Sequence, residues 1–144
     1  MVSLEKLENV EQAKNLFELK PWTSVIKTIT NPMITALGPK DSPDSNLAIG
    51  FAHITKPDQI SGPTHEHPFD QYIFLIGTSD NFVDFDADVE FTLGNEVQKI
   101  NYPFYAFIPA GTPHCPLIVK RLGKPIIFID ARLTPEASVR PDKK

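Results

Sequence analysis

The sequence predicts an all-β fold, a small barrel of short strands entered through one short N-terminal helix. Three observations point there. The 144 residues suit one domain, because two halves would each be too small to bury a convincing core. The 14 Pro and 7 Gly supply turn after turn, and 10 Phe enrich the segments between them, a usage of short β-strands rather than long helices. From Trp22 onwards, short apolar or alternating runs bounded by turn clusters repeat almost to the end.

Taken in order, residues 3–18 place Leu4, Leu7, Val10, Ala13, Leu16 and Phe17 at helical spacing. Ser3 is a candidate N-cap, and Glu5 sits in the first turn, where the helix dipole favours an acid. Lys6, three residues after Ser3, cannot accept a hydrogen bond as Glu or Gln would, so the capping box is incomplete. Residues 1–20 therefore read as an N-terminal helical segment and 21–132 as one barrel. Residues 133–144, with two prolines and few apolar side chains, read as a mobile tail. Strands are expected near 22–30, 33–38, 46–55, 71–77, 88–93, 96–101, 104–109, 114–120 and 125–131. Gly94-Asn95 has the composition of a two-residue hairpin, with Val89, Phe91 and Leu93 alternating inward.

Composition excludes several partners. The formal charge is -4, from 18 acids and 14 scattered bases, so no basic stripe exists to track a nucleic acid. No apolar run approaches the ~20 residues that span a bilayer, and the first residues lack the apolar core of a secretory signal. A cytoplasmic protein without membrane or nucleic-acid partners is expected. Cys115 is the only cysteine, which rules out an internal disulfide and suits a reducing compartment.

Three of the four histidines fall in two segments suited to metal binding. The first runs Gly62-Pro-Thr-His65-Glu-His67-Pro-Phe-Asp-Gln71 and on to Gly77. Residues two apart on an extended chain leave the same face, so the rings of His65 and His67 are able to converge on one ion. Gln71 lies four beyond His67, on the same face if the strand stays regular, and its amide oxygen is a neutral candidate ligand. Glu66 and Asp70 fall on the opposite face by the same alternation. The second segment, Pro109-Ala-Gly111-Thr-Pro-His114, turns the chain and feeds His114 into the next strand, opposite the first pair in a closed barrel.

These two segments resemble the two signature motifs of the cupin superfamily: Gly62, His65, His67 and Gly77 in the first, Pro109, Gly111 and His114 in the second. The resemblance spans roughly residues 45–131. It implies a double-stranded β-helix, or jelly-roll, barrel holding one divalent transition metal on His65, His67, Gln71 and His114. Fe(II) is the first expectation, with Mn, Ni, Co or Zn as alternatives. The chain departs from the family pattern in three places: Gln71 stands for a ligating Glu, Ile118 for an Asn, and Gly62 lies closer to the histidine pair. A neutral amide leaves a divalent ion its full charge, which favours Lewis acidity and anionic substrates at some cost in affinity.

Candidates for moving a proton are His53, if its strand turns it to the cavity, and Tyr72, which lies near the first motif. Surface and packing are their plain alternatives. Tyr102 and Tyr105 carry the same two readings, Phe74, Phe104 and Phe107 read as wall or core, and Cys115 is expected to point away from His114. Arg121 and Arg132 are surface residues or anchors for a substrate carboxylate. Asp84, Asp86, Asp88 and Glu90 read as a wet acidic face. The leading functional reading is a metalloenzyme acting on a small oxygenated or aromatic metabolite, with dioxygenase-like chemistry first. The alternatives are a non-catalytic module binding a small ligand, and an isomerase, decarboxylase or lyase on the same platform. The resemblance also implies a homodimer.

Overall fold

Two antiparallel sheets meet over one apolar core in the computed structural model, which describes residue 8, residues 15–22 and residues 31–134. The strands are β1 (Lys20–Trp22), β2 (Met33–Leu37), β3 (Leu47–Ile54), β4 (Asp58–Gln59) and β5 (Gln71–Gly77). They continue with β6 (Ala87–Leu93), β7 (Glu96–Ile100), β8 (Phe104–Ile108), β9 (His114–Leu122) and β10 (Ile126–Leu133). One sheet has the order β1-β2-β3-β10-β5-β8 and the other β4-β9-β6-β7. The fold is an all-β jelly roll, as the sequence predicts.

Period-two alternation creates the core. On β5, Gln71, Ile73, Leu75 and Gly77 are buried while Tyr72, Phe74 and Ile76 face outward. Ile54, Leu75, Ile108 and Ile126 from the larger sheet meet Val89, Phe91, Leu117 and Val119 from the smaller. Burying a side chain of this size contributes about 1.5–3 kcal/mol. The hairpin forms at Gly94-Asn95, with Leu93 opposite Glu96 and Gly94 at φ 65. Gly77 ends β5 where the backbone of Asp84 and Phe82 approaches so closely that a Cβ would collide with it.

The outer face of the larger sheet is unusual in its chemistry. Ile34, Phe51, Ile129, Phe74 and Tyr105 stand in register as one continuous row across five strands. Ile49, Ala131, Tyr72 and Phe107 form the neighbouring row.

Several expectations change. Most of the helix expected over 3–18 lies outside the described residues, and residues 15–18 within it are not helical, with Asn15 at φ 63. Residues 23–30 and 135–144 also lie outside the described residues, so the first expected strand is seen only at its Trp22 end. The last strand reaches Leu133, two residues further than expected, and Thr134 after it is buried. The two-residue β4, pairing with Val119 and Ile118, has too short a pattern to stand out in the sequence. No helix among the described residues is long and apolar enough to cross a membrane.

Candidate metal centre

Backbone hydrogen bonds bring the two histidine segments together. His65 and His114 form an isolated antiparallel bridge, with N to O distances of 3.0 and 2.9 Å. Gly111 N donates to His67 O at 2.8 Å, and Ala110 N donates to Asp70 Oδ1 at 2.9 Å. The first segment is therefore not a regular strand but an irregular stretch stitched to the turn that precedes β9. Its rings converge nonetheless. Ring centroids lie 4.7 Å apart for His65 and His67, 4.5 Å for His65 and His114, and 5.3 Å for His67 and His114.

The tautomers follow from the partners. Nδ1 of His65 faces the carbonyl of Pro63 at 2.8 Å, and Nδ1 of His114 faces that of Thr112 at 2.8 Å. A carbonyl only accepts, so each Nδ1 carries the proton and each neutral ring keeps its Nε2 lone pair. Nε2 of His67, Nε2 of His114 and Oε1 of Gln71 are buried without a hydrogen-bond partner. Leaving a polar atom so costs about 1–3 kcal/mol, and the two imidazole nitrogens among them, on rings that converge with that of His65, are donors that a divalent cation would satisfy. Burial holds the ionisation of His67 down at about 4, with Arg132, His65 and His114 adding to the effect. Burial likewise lowers His114, so both rings are neutral donors at neutral pH.

Cys115 departs from the sequence expectation. Phe91 pairs with Leu117 and Leu93 with His114, so two steps along β6 span three along β9. This β-bulge, with Cys115 at φ 84, buries the side chains of both His114 and Cys115 on the interior. The thiol and ligand nitrogens of His65 and His114 lie within 4.8 Å of one another. Burial pushes the thiol's pKa up, against a hydrogen bond with Ser61 that lowers it, so the sulfur stays protonated and is a weaker donor than the imidazoles.

Neither proton-moving candidate reaches this centre. His53 is exposed on β3, between the inward Ala52 and Ile54, so alternation turns it to the outer face. Tyr72 follows the inward Gln71 and stacks on Phe107 outside the barrel, at 5.2 Å between centroids. Tyr102 and Tyr105 are exposed as well. Arg121 pairs with Asp86 and Asp88 on the surface, and Lys124 pairs with Asp84, which makes the acidic face a set of exposed ion pairs. Arg132 instead points inward beside Gln71, paired with Asp130, which sequence reasoning did not single out.

No protein-family model matches the chain, and no curated protein matches it. Solved structures do. A cupin-2 domain from Rhodospirillum rubrum shares 8% identity over 90% of this chain and 77% of its own, with a TM-score of 0.54. A sugar phosphate isomerase of the cupin superfamily from Silicibacter pomeroyi shares 11% over 86% and 75%, with a TM-score of 0.53. An RmlC-like cupin from Shewanella frigidimarina shares 13% over 96% and 98%, with a TM-score of 0.50. At these identities the likeness is one of fold.

Proposed function

We propose that this chain, which has the cupin fold, is a metalloenzyme acting on a small oxygenated or aromatic metabolite, with dioxygenase-like chemistry leading. The observation that carries the reading is the convergence of the rings of His65, His67 and His114, with His67 Nε2, His114 Nε2 and Gln71 Oε1 all buried and unpartnered. His65, His67, Gln71 and His114 would hold one divalent transition metal, Fe(II) first and Mn, Ni, Co or Zn as alternatives. Bound among neutral donors, such an ion supplies Lewis acidity at nearly its full charge. The protein's part is to fix the donors and keep His67 and His114 unprotonated. Titration of the purified chain with Fe(II), Mn(II), Ni(II) and Zn(II) tests it. Tight binding by the parent and its loss in His114→Ala are expected, and an unchanged affinity in that variant removes the proposed centre.

A second reading has its own observation. His53 and Tyr72, the two side chains offered for proton transfer, lie on the outer face, which favours a module that binds a small ligand without turnover. Oxygen uptake over a panel of catechols, diketones and hydroxy acids separates the two, since a pure binder gains thermal stability without consuming oxygen. Product analysis in the same panel detects isomerase, decarboxylase or lyase chemistry. The working assembly is a homodimer packed through the outer face of the larger sheet, and the lone, buried cysteine suits a reducing, cytoplasmic setting.

A further inference from the structure

Behind Gln71 runs a chain of contacts that both begins and ends on a donor of the proposed centre. The ring of His67 lies parallel to that of Phe69, with 7° between planes and 4.8 Å between centroids. The guanidinium carbon of Arg132 stands 5.4 Å from the centroid of the same Phe69 ring. Arg132 Nη2 meets Asp130 Oδ2 at 3.2 Å, and Asp130 Oδ1 accepts a hydrogen bond from Gln71 Nε2 at 2.8 Å.

This arrangement decides which end of the amide faces the site. An ionised carboxylate only accepts, so the group that Gln71 offers to Asp130 is its NH2. The oxygen is then the atom left inside, buried and without a partner. Asp130 cannot easily swing away, because its second oxygen is engaged by Arg132, and that pair is largely withdrawn from water. An amide whose NH2 donates to an anion also has a more electron-rich oxygen, which makes it a better donor to a cation.

We infer that Asp130 is a positioning residue of the centre, holding the Gln71 amide with its oxygen turned to the ion, while Arg132 and Phe69 tie Asp130 and His67 into one frame. The inference rests on the metal-centre reading above. It also explains the amide itself. A glutamate at position 71 would set a second carboxylate against Asp130 at hydrogen-bond distance, replacing a donor–acceptor contact with repulsion between two acceptors. Gln71 and Asp130 are two halves of one arrangement, in which the acid stands one contact behind the ligand.

Co(II) is the probe, titrated into the metal-free full-length chain and followed by its visible absorption. Asp130→Leu is expected to weaken Co(II) binding by about 10- to 100-fold and to alter the spectrum of the bound ion. Asp130→Asn retains an acceptor oxygen and is expected to restore most of that loss. In a Gln71→Ala background, Asp130→Leu is expected to cost nothing further, because Asp130 acts through the amide. If leucine at position 130 prevents folding, Gln71→Glu serves: it is expected to bind Co(II) more weakly than the double variant Gln71→Glu/Asp130→Asn. The inference is overturned if Asp130→Leu leaves affinity and spectrum unchanged, if its cost is the same with and without Gln71, or if that double variant gains nothing. Should His114→Ala abolish binding while Asp130→Leu does nothing, only the role of Asp130 falls; should His114→Ala bind as the parent does, the centre itself falls.

Discussion

Phe74 on β5 stacks on Tyr105 of the neighbouring β8 on the outside of the barrel, with ring centroids 5.6 Å apart and planes 24° from parallel. Tyr105 is 66% exposed, yet the pair continues a row that reaches Ile34 across three further strands without a charged side chain. A face of this kind is costly to leave in water, and a stable dimer asks for about 800 Å² from each partner. Phe51→Glu, in the middle of the row, is therefore expected to turn a dimer into a folded monomer. Light scattering during gel filtration reads the outcome, and a parent chain that runs as a monomer at high micromolar concentration sinks the idea.

Metal removal should lower stability without unfolding the barrel, since the core residues are remote in kind from the donors. An ion present at 100 times its Kd adds about 2.7 kcal/mol, which for a chain of this size corresponds to roughly 5–15 °C in Tm. Differential scanning of protein with and without a chelator measures it. Equal melting of the two forms counts against an occupied centre.

The histidines also set a pH dependence in the metal-free protein. His67 titrates at about 4 in the fold against 6.5 as its ordinary value, and His114 is lowered too, in each case chiefly through burial. Between those values the unfolded chain binds more protons than the folded one. Stability from these rings is complete above about pH 6.5, and it declines as the pH falls towards 4. Urea midpoints at several pH values should drop more steeply for the parent than for His67→Gln; parallel curves would refute the assignment.

Gly77→Ala tests the closing glycine of the first motif. Its new Cβ would press on the carbonyl of Asp84, which is backbone and cannot rotate away. A loss of about 1–3 kcal/mol is expected, as for overpacked interiors, with metal affinity little changed because Gln71, the nearest proposed donor on the strand, lies at its opposite end. Denaturant titration and metal titration of one preparation give both numbers.

Much of this architecture is written in local pattern. Val89 and Phe91 announce the inward face of β6, Gly94-Asn95 announces its hairpin, and the two histidine segments announce their convergence. Where the signal fails, the cause is a long-range contact. His53 and Tyr72 look suited to chemistry by residue type, but their side of the strand depends on where alternation begins, at Ala52 and Gln71. Asp130 shows no motif at all, because its importance comes from a hydrogen bond to a residue 59 positions away. A signal did exist: Asp130 and Arg132 interrupt the apolar run of β10 at positions whose parity matches the buried Ile126 and Phe128.

The bulge between Phe91 and Leu93 acts as a phase shifter in β9. Downstream of it Leu117 and Val119 keep the core filled, while upstream His114 is released from their rhythm to serve the ligand site. Chemistry and packing thus run on separate clocks within one strand. Without the bulge, regular pairing would set His114 and Leu117, three residues apart, on opposite faces, and either the imidazole or the leucine would have to leave the interior.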